Sequence, residues 1–144
     1  MGNKKYALIS LVSNFLLMIF AVGSLIGINL EVSKIKNAPP VDGIDLRGLS
    51  VGVLGIIAAL LLIYGGVVLI NLLLKVAHLG TGKWGFAIPC VILDVLLTVA
   101  NTAILIGTVN EGEALSIAFL GVITAASILS IMMNGRSIAT RNAA

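Results

Sequence analysis

The sequence predicts an all-α membrane protein, a bundle of four transmembrane helices in up-down-up-down order with both termini on the cytoplasmic side. Two observations predict the membrane: 59% of the residues are hydrophobic and only 10% are charged, and the mean hydropathy is +1.16. A soluble domain carries roughly 25% charged residues. The third observation is a set of four apolar stretches, each long enough to cross about 30 Å of hydrocarbon.

The four stretches are read as helices because none of them alternates apolar and polar residues, as strands of a membrane barrel would. The predicted loop outside the membrane, residues 31–48, contains Pro39 and Pro40, which cannot continue a helix. Residues 137–144 are small and polar and are expected to form a mobile tail. A single transmembrane domain, residues 1–144, therefore contains spans at about 6–30, 49–74, 84–109 and 114–133.

Orientation is predicted from the basic residues, because Lys and Arg are in excess in cytoplasmic loops. Only Lys34, Lys36 and Arg47 fall on the outer side of a four-span chain, where five acidic residues accompany them. The inner side receives six basic residues: Lys4, Lys5, Lys75, Lys83, Arg136 and Arg141.

A cleaved signal peptide is an alternative reading of the first span. Lys4 and Lys5 precede an apolar run, and Ala21-Val22-Gly23 has the small residues of a cleavage site. The apolar run continues past that site to Leu30, which favours a retained span.

Asp94 is the candidate functional residue, since it is predicted to be the only ionisable side chain within a span. A carboxylate at that depth is costly unless it is paired, hydrated or protonated, so such acids often mark function. Interhelical hydrogen bonding is the alternative role. Counting from the cytoplasmic basic residues and from Trp84 puts Asn14, Asp94 and Ser127 at one depth. The predicted intramembrane polar layer consists of these three residues together with Thr98 and Asn101, of which Asn101 extends it outward.

The second span differs from the others because one of its faces consists of small residues. Small residues let a neighbouring backbone approach closely, so this face is predicted to pack against another helix. Counting from Lys75 puts Gly66 at the depth of the polar layer, and Tyr64 is expected to hydrogen-bond into it. The predicted packing residues are Gly52, Gly55, Ala59 and Gly66.

Several function classes lack their signatures in this sequence. The net charge of +3 comes from scattered basic residues, so no nucleic acid is expected as a partner. One histidine and the single Cys90 predict neither a metal site nor a redox pair. Neither a nucleotide-binding nor a hydrolase motif is present, so no cofactor and no enzymatic activity are predicted.

Two hypotheses about function remain. In the first, the protein is a non-catalytic accessory, regulatory or immunity-type subunit that acts through intramembrane and outer-loop contacts, and Asp94→Asn is nearly silent. In the second, it is an oligomeric small transporter or channel in which Asp94 binds a proton or cation. The expected partners are the lipid bilayer and either another membrane protein or further copies of this chain. The compact loops favour a bacterial inner (plasma) membrane.

Overall fold

The computed structural model describes residues 2–39 and 45–142, except for the side chains of residues 2, 3, 84 and 140–142. The part of the chain between residues 40 and 44, within the predicted outer loop, and the last residues of the predicted tail lie outside this description. The described chain forms four α-helices, α1 (Gly2–Asn37), α2 (Arg47–Thr81), α3 (Trp84–Glu111) and α4 (Ala114–Asn142).

All four helices are long and apolar enough to cross a membrane. Their bounds extend beyond the predicted spans, and α2 continues past residue 74 to Thr81. The reason is that Asn71, Lys75 and His78 lie on the buried side of α2 and continue its packed face. Helix α4 likewise includes residues 137–142 of the predicted tail, and Ser137 is buried.

Two glycines end helices at the tight turns. Gly82 adopts a left-handed conformation (φ 66°), and its amide donates to the carbonyl of His78 at 2.8 Å. Gly112 (φ 79°) ends α3 in the same way, with its amide shared between the carbonyls of Thr108 and Val109. Glycine is favoured here because other residues pay a steric cost at positive φ.

The helices pack in a ring in which α1 contacts α2 and α4, and α3 contacts the same two helices. A small apolar cluster at the centre takes one residue from each helix: Leu17, Val68, Leu97 and Ile123. Among the described residues, thirteen polar side chains are buried against ten hydrophobic ones, whereas large apolar side chains cover the outside. This inside-out distribution fits a bundle whose solvent is hydrocarbon.

Candidate functional site

A buried ion pair joins α2 to α3. The ammonium of Lys75 lies 2.7 Å from Oδ1 of Asp94, and the two side chains are only 3% and 1% exposed. Asp94 is thus not the only ionisable side chain in the interior of the bundle, because Lys75 lies within α2, just past the predicted end of the second span, and faces the same interior.

Amide and hydroxyl groups from the other helices surround this pair. Asn71 donates to Oδ1 of Asp94 at 2.7 Å and to Oδ1 of Asn14 at 3.2 Å. Asn14 in turn donates to the carbonyl of Val68 at 3.2 Å. On the α4 side, the Lys75 ammonium donates to Oγ of Ser130.

Ser10 completes the arrangement, since its hydroxyl is 3.0 Å from that of Ser130. All four helices thus contribute to one buried hydrogen-bonded group, which we call the charged layer: Ser10, Asn14, Asn71, Lys75, Asp94 and Ser130.

A second polar group, the neutral layer, consists of Tyr64, Asn101 and Ser127. The Tyr64 hydroxyl donates to Oδ1 of Asn101 at 2.9 Å, as expected from the sequence, and Nδ2 of Asn101 donates to Oγ of Ser127 at 2.6 Å. Asn101 lies two helical turns beyond Asp94, about 10 Å along the axis. Leu97 of the apolar cluster lies between them in α3 and separates the two layers.

The predicted polar layer is thereby divided between two levels. Asn14 joins Asp94 through Asn71, whereas Asn101 and Ser127 contact each other in the neutral layer. Thr98 is half-buried and donates back along its own helix to the carbonyl of Asp94 at 2.8 Å.

The predicted small-residue face is exposed. Gly52, Gly55 and Ala59 lie on the surface of the chain, and a Cβ built on Gly52, Gly55 or Gly66 would meet no side chain or neighbouring helix within 4 Å. The close approach between α1 and α2 occurs instead at Gly65, where such a Cβ would lie 3.6 Å from that of Ala21.

Sequence reasoning missed Asn71, Lys75 and Ser130. A signal for the first two was present, because Val68, Asn71, Lys75 and His78 repeat at the 3-4-3 spacing of a packed helix. Treating Lys75 as the cytoplasmic boundary hid that seam and also placed Gly66 at the wrong depth. His78 continues the same seam in α2, with Nδ1 3.1 Å from the carbonyl oxygen of Lys83.

The charged layer is electrically neutral as a whole, because the ammonium compensates the carboxylate. Two of its acceptors, Oδ2 of Asp94 and Oδ1 of Asn71, are buried without a hydrogen-bond partner. The arrangement can therefore fix the four helices relative to one another, and two of its acceptors can each still accept a hydrogen bond.

Together the fold and this centre define a small helical bundle with four helices able to cross a membrane, an apolar exterior and a polar interior built around an ion pair. Comparison with known proteins gives no match: no family model, no curated protein and no solved structure is significantly similar to this chain.

Proposed function

We propose that the chain is a non-catalytic membrane component, an accessory, regulatory or immunity-type subunit that acts through intramembrane and outer-loop contacts. The observation that carries the proposal is the closed ion pair between Lys75 and Asp94. It makes the one intramembrane carboxylate an internal stabilising group rather than an open binding site.

Electrostatics explain why the pair disfavours a cation site. At an effective dielectric constant of about 20, charges 2.7 Å apart attract each other by about 6 kcal/mol before desolvation is subtracted. A cation bound at Asp94 would have to displace the ammonium or lie beside it. Either arrangement would leave an uncompensated positive charge in the bundle, which is costly in hydrocarbon.

The surface that we assign to partner contacts is the outer half of α2. All buried residues of α2 fall between Gly65 and His78. Before Gly65, this helix exposes apolar side chains together with the small residues Gly52, Gly55 and Ala59. Such a face suits close contact with another membrane helix, from a different protein or from a second copy of the chain.

The proposal includes an up-down-up-down topology with both termini in the cytoplasm, in a bacterial inner membrane. Contacts between α1 and α2 support this topology. Asn14 of α1 contacts Asn71 of α2, whereas Phe20, further along α1, contacts Tyr64, which comes earlier in α2. The two helices are therefore antiparallel. With Lys75 removed from the count, the cytoplasmic side still has five basic residues against three.

The alternative is an oligomeric transporter or channel for protons or cations that uses Asp94. The unpartnered acceptors on Asp94 and Asn71 favour it, because a proton, a water molecule or a cation would complete their bonding. Transport would require the ion pair to open during each cycle.

Flux measurements distinguish the two functions. Wild type, Asp94→Asn and the double variant Lys75→Met/Asp94→Asn are placed in liposomes in matched amounts, and proton and monovalent-cation flux is followed under an imposed gradient. We expect no flux above that of empty liposomes from any of the three. Flux in wild type that disappears in the folded double variant would overturn the proposal in favour of transport.

Crosslinking tests the contact surface. A photoreactive residue at position 55 of α2 is expected to crosslink to a membrane protein or to a second copy in the native membrane. The same residue at position 92 of α3, where Ile92 is 56% exposed, serves as the lipid-facing control. Equal crosslinking to proteins from positions 55 and 92 would contradict the assignment of the contact surface to α2.

A further inference from the structure

An apolar cavity of about 500 Å³ opens between the helices on the far side of the neutral layer from the ion pair. All four helices line it. Residues that form its walls include Phe20, Ser24, Ile57, Leu61, Ile104 and Phe119.

The cavity exists because α2 leaves the packed core beyond Gly65. At that glycine α2 approaches α1 closely enough that a Cβ would lie 3.6 Å from that of Ala21, and no residue of α2 before it is buried. The remaining helices do not fill the resulting space, so the wall residue Ile57 is still 42% exposed and Phe119 is 54% exposed. The cavity is therefore open to the surroundings of the bundle.

The inner wall of the cavity is aromatic. The ring of Phe20 meets Phe119 at a centroid distance of 5.8 Å and Tyr64 edge-to-face at 6.1 Å. The Tyr64 hydroxyl is turned to the neutral layer, where it donates to Asn101. Phe20 and Phe119 line the cavity, and Phe20 connects it to Tyr64 of the neutral layer.

The chemistry of the lining excludes charged and strongly polar ligands. Among the described residues that line it, none has an ionisable side chain, and the polar groups are the hydroxyls of Ser24 and Ser116. Ser116 already donates to the carboxylate of Glu113 at 2.9 Å. A polar ligand would lose its hydration in this cavity without gaining partners, which costs several kcal/mol.

The occupant must therefore be apolar, and the position of the cavity identifies it. Its walls belong to helices able to span a membrane, so the opening faces hydrocarbon. Ser116 lies close to the start of α4 at Ala114, so the cavity reaches the end of the bundle where α3 turns into α4. A lipid chain from the leaflet on that side can enter laterally, and the volume lies within the range of about 300–1,000 Å³ typical of ligand sites.

We propose that one acyl chain of a membrane phospholipid occupies this cavity and forms a specific lipid site between the four helices. Transfer from bilayer hydrocarbon gains no hydrophobic energy, so selectivity arises from the fit of the chain against the Phe20–Phe119 wall. The inference rests on the membrane location of the bundle and not on its proposed role as an accessory subunit.

The test uses full-length protein in phosphatidylcholine vesicles that contain a trace of phosphatidylcholine with a diazirine in its acyl chain. After illumination, mass spectrometry maps the labelled residues, and native mass spectrometry of the purified protein counts retained lipid. In wild type we expect stronger labelling of Phe20, Leu61 and Phe119 than of the lipid-facing Ile63, which is 66% exposed. We also expect one retained phospholipid per chain.

Two variants separate the cavity from the general lipid surface. Ser24→Phe, which fills the cavity, is expected to abolish both the cavity labelling and the retained lipid. Ala125→Phe places the same ring on the exposed outside of α4 and is expected to change neither. Ser116→Leu provides a second filling variant with a smaller side chain if Ser24→Phe fails to fold.

Labelling of the cavity residues at or below the level of Ile63 in wild type would overturn the proposal. It would also be overturned by lipid retention that persists in a folded filling variant. Transport activity does not enter these measurements, so failure of the lipid site and failure of the proposed function are distinguishable.

Discussion

Removing the charge of Asp94 should destabilise the bundle because it leaves the Lys75 ammonium buried without a counter-charge. Asp94→Asn keeps the shape of the side chain and an acceptor for Asn71, which donates to Oδ1 at 2.7 Å in wild type. The variant therefore isolates the ion pair. This expectation reverses the near-silent outcome that the sequence alone predicted for a structural Asp94.

The magnitude follows from the burial of both partners, which are 1% and 3% exposed. Breaking a buried pair by removing one partner costs roughly 3–5 kcal/mol in soluble proteins. A lysine at the centre of a membrane helix costs about 2.5–3.5 kcal/mol on insertion scales. We therefore expect Asp94→Asn to lower the free energy of unfolding by about 3 kcal/mol, and Lys75→Met to have an effect of similar size.

The double variant Lys75→Met/Asp94→Asn should recover most of this loss, because no charge remains buried. The new amide at position 94 can donate to Oδ1 of Asn71, which has no partner in wild type. Ser130 keeps the hydroxyl of Ser10 at 3.0 Å as its neighbour. The free energy of unfolding of the double variant is thus expected to lie within about 1 kcal/mol of that of wild type. Because each single variant loses about 3 kcal/mol, the two sites would then be coupled by several kcal/mol.

The assay is reversible unfolding of the purified protein in mixed micelles by increasing fractions of denaturing detergent, followed by circular dichroism. Glu111→Gln is the control, since it removes an exposed carboxylate near the end of α3 and should change the free energy of unfolding little. Additive losses in the double variant, or a loss below about 1 kcal/mol in Asp94→Asn, would show that the pair does not form the stabilising contact described above.

Three further predictions concern other parts of the bundle. Tyr64→Phe removes the hydrogen bond to Asn101 and should cost about 1 kcal/mol of unfolding free energy in the same assay, with no loss if the hydroxyl is not bonded. Hydrogen bonding from Arg47 lowers the pKa of Asp45 from 3.8 to about 2; the contact should persist at neutral pH and disappear as pH falls through that value. In Arg47→Ala, carboxyl NMR should show the pKa of Asp45 returning toward 3.8, and an unchanged pKa would exclude the contact. Gly112→Ala should lower the free energy of unfolding by about 1–2 kcal/mol because of the positive φ alone, since the added Cβ meets no atom. Gly121→Ala, within helix α4, is the control, and a smaller loss in Gly112→Ala than in this control would contradict that reasoning.

The helical content and the number of helices long and apolar enough to cross a membrane could be predicted from the sequence because both depend on long runs of apolar residues. The bounds of α2 were not, because a lysine after an apolar run normally marks the membrane surface. Lys75 does the opposite and turns inward to Asp94. Only the contact between two helices determines which of these positions a lysine takes, and a single sequence does not contain that contact.

The polar residues of the site were predicted better than their arrangement. Asn14, Asp94, Asn101 and Ser127 are all buried, as their helical spacing indicated. Their division into two layers depends on the axial offset of the helices, which residue counts from the ends of the apolar runs do not determine. In the neutral layer, the hydrogen bond from Tyr64 to Asn101 fixes the offset between α2 and α3.

The two halves of α2 differ in how they are held in the bundle. Helices in a membrane gain little from burying apolar side chains, so polar contacts and close packing must hold them together. From Gly65 to His78, the charged layer and the Ala21 contact fix α2 to the bundle. Before Gly65, α2 has no buried residue and only the apolar cavity beneath it. Binding of the proposed lipid chain or of a partner helix at this half of α2 is therefore expected to leave the ion pair undisturbed. Variants of Lys75 or Asp94 that stay folded should retain the lipid site.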